Sequence, residues 1–363
     1  MFYLIVAALI LLLIVLGLLV RAQVLIDIFT QSSDKRGGLS NQLNALLFPI
    51  FFVAGLAGFI WLTVTSPDHY LPEASSIHGV ITDELFWITM AIITVVFVIT
   101  HVLLFFFPYF YQFKENRKAL FYPVNHRLEA IWTVIPAIVL SLLVFSGWKV
   151  WSDITQEAPK DAVVIEMVGK QFNWLIRYPG QDLSLGKHNH RKIDDLNTVG
   201  IDFSDKNSFD DFLAGEVHIP VGKPVLFKIR ARDVLHSLFV PHFRVKMDAV
   251  PGMPTKFWFV PTKTTAEMRA TLGNPEFTYE IACTEVCGRG HFGMRSTLIV
   301  HEQDEYDEWF KAQQSFLAKN PDYMKNVPDN LKKLAEQSVQ ENKKTTGMAS
   351  LVKSISSSIA KAF

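Results

Sequence analysis

The sequence predicts a membrane-anchored all-β protein, with N-terminal transmembrane helices followed by a soluble Greek-key domain. Three observations carry this. Roughly the first 150 residues are dominated by apolar runs, whereas the remainder mixes charge and apolar residues as a soluble domain does. From Ala162 onward, short alternating runs are separated by turn residues, the pattern of a sandwich or barrel. The only two cysteines, Cys283 and Cys287, share one short loop with His291 and Met294.

Four segments approach the ~20 apolar residues that a bilayer span requires: Phe2–Val20, Ala45–Val64, Leu85–Phe107 and Ala130–Val150. The loop from Thr65 to Asp83 carries Asp68, Glu73 and Asp83 and no Lys or Arg. The loops holding Arg21, Lys35 and Arg36, and then Lys114, Arg117, Lys118 and Arg127, are basic. Positive charge stays cytoplasmic, which places both chain ends and the soluble domain outside. The first segment lacks a basic leader and a convincing small-x-small cleavage site, so a retained helix is expected rather than a signal peptide. No cysteine near it offers a lipid attachment point. His101 falls inside the third span, where a neutral histidine hydrogen-bonded within the bundle is the expectation.

Strands are expected at Val163–Val168, Phe172–Tyr178, Glu216–Ile219, Pro224–Arg230, Leu235–Val240, Lys256–Val260, Thr265–Thr271, Phe277–Ala282 and Ser296–Val300. Turns come from Tyr178-Pro-Gly180, Val221-Gly222 and Val250-Pro-Gly252. Gly180–Phe212 is a polar insertion, read as a surface loop with His188 and His190 solvated. Asp304–Lys319 reads as a helix with Tyr306, Trp309, Phe310 and Phe316 on it. The stretch from Met348 to Phe363 is weakly amphipathic, suited either to a partner or membrane surface or to simple surface packing.

Lys plus Arg and Asp plus Glu both number 35, so no basic field argues for nucleic acid. The chemistry concentrates in Cys283-Thr-Glu-Val-Cys287-Gly-Arg-Gly-His291-Phe-Gly-Met294, with His236 supplied from an upstream strand. Two thiolates, two imidazoles and a thioether form a soft donor set suited to copper. Zinc prefers four tetrahedral ligands without Met, and a blue-copper site uses one cysteine. A disulfide leaves His291 and Met294 unexplained. The tally fits two coppers sharing both thiolates, an arrangement that spreads one electron over both metals and changes little on redox cycling.

That loop, together with Asp233-Val-Leu-His236-Ser, Pro241, Lys246-Met-Asp248-Ala-Val-Pro-Gly252 and Glu129-Ala-Ile-Trp132-Thr-Val-Ile-Pro136, resembles cytochrome c oxidase subunit II over approximately Thr82–Val300. The resemblance implies a cupredoxin barrel holding the dinuclear CuA copper centre. His236 and His291 would each ligate one copper and Cys283 and Cys287 would bridge them. Met294 would be a weak ligand to one copper and the Glu285 carbonyl to the other. The Glu285 carboxylate would point to Mg2+ at the interface with the catalytic subunit, a hard oxygen donor for a hard cation. Phe172 and Trp174 would lie where electrons from cytochrome c enter, and Glu129 would mark the mouth of a proton-uptake path.

On this reading the chain divides into residues 1–43 (an extra transmembrane helix and cytoplasmic loop), 44–83 (a second extra helix and periplasmic loop), 84–158 (a transmembrane hairpin), 159–302 (the cupredoxin CuA domain) and 303–363 (a C-terminal helical extension). The family norm is two membrane helices, and the extra pair is expected to contact further subunits or a neighbouring respiratory complex. The implied setting is the bacterial cytoplasmic membrane with the copper domain on the periplasmic face. Acids in the insertion (Asp194, Asp195, Asp202, Asp205, Asp210, Asp211) would either steer a basic cytochrome or simply be solvated. A quinol oxidase subunit lacks the copper ligands, and a copper-delivery protein has no need of Glu129 or Glu285. A nitrous oxide reductase needs a propeller for which there is no room, and no Cys-x-x-Cys-His haem attachment sequence is present.

Overall fold

The structure is a computed structural model that describes residues 2–29, 39–66 and 71–362. The loop charges Lys35, Arg36 and Asp68 lie outside the described residues, as does the side-chain face of the stretch from 350 to the C-terminus. Two compact units result: Met1–Leu71 with Trp87–Leu142, and Pro72–Phe86 with Leu143–Phe363.

The apolar N-terminal sequence forms four helices, α1 (Phe2–Phe29), α2 (Leu39–Thr65), α3 (Ile77–Phe110) and α4 (His126–Thr155). Among the described residues, three helices are long and apolar enough to cross a membrane: Asn41–Thr65, Ile77–Phe110 and His126–Thr155. The first expected span falls in α1, where the described apolar stretch, Ile10–Ile26, is shorter than a span. α4 starts where Asn125 Oδ1 accepts from the Leu128 N–H at 3.1 Å, an N-cap that satisfies an otherwise orphaned donor. In α3 the His101 Nδ1–H donates 2.8 Å to the Phe97 carbonyl one turn back, which satisfies the imidazole locally.

The second unit contains ten strands: β1 (Val163–Lys170), β2 (Asn173–Tyr178), β3 (Phe212–Ala214), β4 (Val217–Pro220), β5 (Val225–Ala231), β6 (His236–Val240), β7 (Val245–Ala249), β8 (Thr255–Phe259), β9 (Tyr279–Cys283) and β10 (Arg295–His301). They form two five-stranded sheets, ordered β3-β2-β1-β5-β8 and β4-β10-β9-β6-β7. Each sheet holds one parallel pair, β1 with β5 and β10 with β4. Side chains from both sheets share one buried core that includes Ile165, Met167, Phe227, Leu238, Ile281 and Leu298. Alternation along the strands sends these residues inward.

Four expectations need correction. Thr265–Thr271 is not a strand but a helix, α5 (Thr265–Leu272). Thr264 and Glu267 close a capping box at its start, and Gly273 ends it at φ 62°, a left-handed cap that favours glycine. The insertion is no bare surface loop: Val199, Ile201, Phe203 and Phe209 are fully buried or nearly so. They join Val168, Phe316, Leu317, Val327 and Ala335 in a second core. β1 is therefore covered on both faces, which explains its nearly continuous apolar sequence. The expected helix Asp304–Lys319 is broken into α6 (Gln303–Lys311) and α7 (Phe316–Lys319), because Ser315 caps the second piece. A long helix, α8 (Lys332–Ala362), follows. β3 and β7, finally, were not foreseen.

Between sheet and insertion lies a buried charge network. Arg177 is fully buried and hydrogen-bonds Asp211, Glu166 and the Gly186 carbonyl, while Arg230 pairs with the same Glu166 at 2.9 Å. Two cations against two anions leave the cluster neutral, the condition under which buried charge is tolerated. The segment from Pro72 into the first turns of α3 is stitched to the β domain in a similar way. Arg244, in left-handed backbone at φ 55°, donates to both Asp83 oxygens at 2.7 Å and to the Pro72 carbonyl at 2.6 Å. Backbone bonds from Ser75 to His242 and from Ile77 to Val260 reinforce the join.

Candidate metal centre

Three segments converge on the soft donors. His236 opens β6, Cys283 ends β9, and the loop to β10 brings back Cys287, His291 and Met294. Pairing of Leu238 with Cys283 sets β6 against β9, which brings His236 beside the first cysteine. The loop is closed by its own backbone: Cys283 N–H donates to the Met294 carbonyl at 3.2 Å, and Thr284 N–H donates to Ser237 at 3.0 Å.

The donors face one another at short range. Cys283 Sγ lies 3.9 Å from His236 Nδ1, 4.0 Å from Cys287 Sγ and 3.2 Å from the Glu285 carbonyl oxygen. Cys287 Sγ lies 3.7 Å from His291 Nδ1 and 3.8 Å from Met294 Sδ. Both cysteines are free and buried, and His236 and Met294 have no exposed surface. His236, Cys283 and Cys287 alone place three ligand atoms within 4.8 Å of one another. Burial and the adjacent Cys283 push the Cys287 thiol up to about 11. Two thiolates so close need a cation between them, and the donor set fits a soft transition metal.

Outer contacts aim these donors inward. The His236 Nε2–H donates 2.8 Å to Asp233 Oδ1, which leaves Nδ1 for the interior, a carboxylate–histidine arrangement typical of metal ligands. Asp233 is itself fixed by the Gln171 N–H at 2.8 Å, and Gln171 Nε2 donates 2.5 Å to the Cys287 carbonyl. Gly169 packs so tightly that a Cβ there would stand 2.7 Å from the His236 ring. A Cβ on Gly290 would stand 2.5 Å from the Phe172 ring.

Of the other residues singled out from sequence, Phe172 lies against the metal loop, and Trp174 meets His236 edge-on with ring centres 6.1 Å apart. The Trp174 Nε1 is buried and has no hydrogen-bond partner. The Glu285 side chain is exposed. Glu129 belongs to the other unit, in the first turn of α4, where it accepts from His126 Nδ1 at 3.0 Å and from Asn125 N–H at 3.4 Å. Asp233 sits in the sequence motif beside His236 with no role evident there, and Gln171 and Gly169 show their roles only in the fold. The one usable signal was an acid three residues before a ligating histidine. Around the centre, Val286 and Phe292 are 80% and 83% exposed, and Leu235 adds to this apolar rim.

Residues 163–301 match the model of the cytochrome c oxidase subunit II periplasmic domain, and residues 64–150 match that of its transmembrane domain. The chain is 35% identical over 266 residues to the alternative cytochrome c oxidase subunit 2 of Bradyrhizobium diazoefficiens, covering 71% of this chain and 89% of that one. Its identity to cytochrome c oxidase subunit 2 of Thermostichus vulcanus is 30%, over 68% of this chain and 79% of that one. The crystal structure of the periplasmic domain of subunit II of cytochrome oxidase from Bradyrhizobium japonicum is 26% identical, with 43% and 95% of the two chains covered and a TM-score of 0.29. With both domains matched in order and most of a relative's length spanned, the chain belongs to the cytochrome c oxidase subunit II family and is a subunit of a haem–copper terminal oxidase.

Proposed function

We propose that this chain is the electron-entry subunit of its oxidase, accepting electrons from cytochrome c at a CuA centre. It would pass them to haem in the catalytic subunit, where oxygen is reduced to water with coupled proton pumping. Membership of the family supports the electron-entry role, and the three long apolar helices with the periplasmic-domain match fit a membrane protein with an outward domain. The finer setting is a bacterial cytoplasmic membrane, with the two sheets forming a Greek-key cupredoxin barrel.

The single observation that carries the reading is the convergence of both thiols, both imidazoles and the thioether within about 4 Å contacts. His236, Cys283, Cys287, His291, Met294 and the Glu285 carbonyl would hold two copper ions. When bound, the copper pair would supply a one-electron carrier. The chain's own residues do the rest. Asp233 fixes the His236 ring, Gln171 ties that carboxylate to the Cys287 backbone, and full burial of His236 and Met294 keeps water from the donors. Rigid donors lower the cost of changing oxidation state.

The exposed rim of Val286, Phe292 and Leu235 offers apolar surface to protein partners, the catalytic subunit and the cytochrome donor. Phe172 and Trp174, packed against the loop and His236, are the electron-entry candidates. The Glu285 carboxylate, free in solvent, suits Mg2+ at the contact with the catalytic subunit. Glu129 is assigned to the entrance of the proton path in addition to its capping contacts. α1 and all but the last two residues of α2 precede the transmembrane-domain match, which starts at residue 64, and both helices are assigned to contacts with further subunits or another respiratory complex.

Electron paramagnetic resonance of the copper-loaded full chain tests the assignment. A mixed-valence signal delocalised over two copper nuclei, abolished together with cytochrome c oxidation in Cys287→Ser, is the expected result. One copper per chain overturns it.

A further inference from the structure

A second cluster of metal-ligating side chains stands apart from the soft-donor loop. His301 ends β10, seven residues beyond Met294, which at strand rise is roughly 20 Å along the chain. In the parallel pairing of β10 with β4, Ile299 lies opposite His218, and His301 follows Ile299 by two residues. Residues two apart on a strand share a face, so the two imidazoles meet. Their rings are nearly parallel with centres 5.0 Å apart and meet edge to edge, His218 Nδ1 lying 2.7 Å from His301 Nε2. α6 completes the cluster from above: Glu305 reaches His301, and Trp309, one turn later, stacks on His218 at 4.1 Å.

The contacts of the outer nitrogens bear on the protonation of the inner ones. His218 Nε2 faces Glu216 Oε1 at 3.2 Å, and His301 Nδ1 faces Glu305 Oε2 at 3.4 Å. An ionised carboxylate only accepts, so an outer nitrogen that bonds its glutamate carries the hydrogen. In neutral imidazoles both inner nitrogens are then lone pairs pointing at each other across 2.7 Å. Such an arrangement is repulsive unless a cation lies between them.

We propose that His218 and His301 form a metal site for one borderline divalent transition ion of the zinc class, with Glu216 and Glu305 orienting the ligating rings. Two observations favour a metal over a proton. Each imidazole already has the outer carboxylate that ligating histidines carry. The two carboxylates bring two negative charges, which a divalent ion balances and a single proton does not. Imidazole suits zinc and copper, and the His301 side chain is 20% exposed, leaving an approach for the ion and for water to complete its shell. Nitrogens on a tetrahedral zinc stand roughly 3.3 Å apart, so the pair opens by about half an ångström on loading.

The test is equilibrium dialysis of the intact oxidase, with its own metals in place, against low-micromolar Zn2+. The wild-type protein is expected to retain one zinc ion more than His301→Gln. Glu305→Gln, a change at an exposed side chain that leaves the fold alone, is expected to weaken that zinc about tenfold. Zinc is also expected to alter a tryptophan fluorescence component that is missing in Trp309→Phe. Equal zinc in the wild type and His301→Gln, or an unchanged zinc affinity in Glu305→Gln, overturns the proposal.

Discussion

Asp233 and His236 are three residues apart and joined by a 2.8 Å hydrogen bond from the ring Nε2–H to the carboxylate, which turns Nδ1 toward Cys283. The bond does two things at once: it selects the tautomer and it locks the ring angle. Asp233→Ala is therefore expected to weaken copper binding by about 10- to 100-fold while leaving the fold intact. Copper competition with a chelator of known affinity measures this, and unchanged affinity would show that packing alone orients the ring.

Gly169 gives a steric counterpart to that electrostatic control. A methyl group there meets the His236 ring at 2.7 Å and its Cγ at 2.9 Å, closer than real contacts allow. Gly169→Ala should displace the imidazole and reduce copper occupancy, with far-ultraviolet circular dichroism unchanged. Full occupancy in that variant would mean that the backbone of β1 gives way instead.

Arg244 holds the start of α3 and the residues before it to the β domain through Asp83 and the Pro72 carbonyl. Its removal strands a largely buried carboxylate and several acceptors. Arg244→Ala is expected to cost about 3 kcal/mol of stability, read as a lowered unfolding temperature of the full chain in detergent. Asp83→Asn should cost less, because an amide still accepts one of the two bonds.

Acid sensitivity has an identifiable contributor in the insertion. Burial alone would raise the Asp202 carboxyl, but hydrogen bonds from Lys192 and from the Ser204 hydroxyl and N–H hold it at about 2, below its ordinary 3.8. A carboxyl depressed on folding adds stability that is present above its unfolded value and is lost as pH falls through the folded one. The loss should occur between about pH 4 and pH 2. Lys192 is more than a third exposed, so screening limits the effect to on the order of 1 kcal/mol. Asp202→Asn should flatten the acid-unfolding profile in that window, and an unaltered profile would rule out this contribution.

The cluster of soft donors could be read from the chain because thiol, imidazole and thioether crowd one short loop, and because no other cysteine competes for the assignment. Their supports could not. Asp233 matters only once β6 turns its neighbour inward, and Gly169 only once β1 passes under the ring. α5 was mistaken for a strand through its threonines, although Thr264, Glu267 and Gly273 are ordinary start and stop signals for a helix. The apolar residues of the insertion are diluted by Asp and Asn, so Val199, Ile201 and Phe203 give no periodic signal until the C-terminal helices supply the opposite wall.

That wall bears on how the protein is handled at the bench. A fragment ending at residue 301, where the family match stops, would lose Phe316, Leu317, Val327 and Ala335. It would leave Val168, Ile201, Phe203 and Phe209 as a greasy, water-facing scar, and such fragments should clump. Expression trials that keep the chain through α8 should give monodisperse material where trimmed ones precipitate.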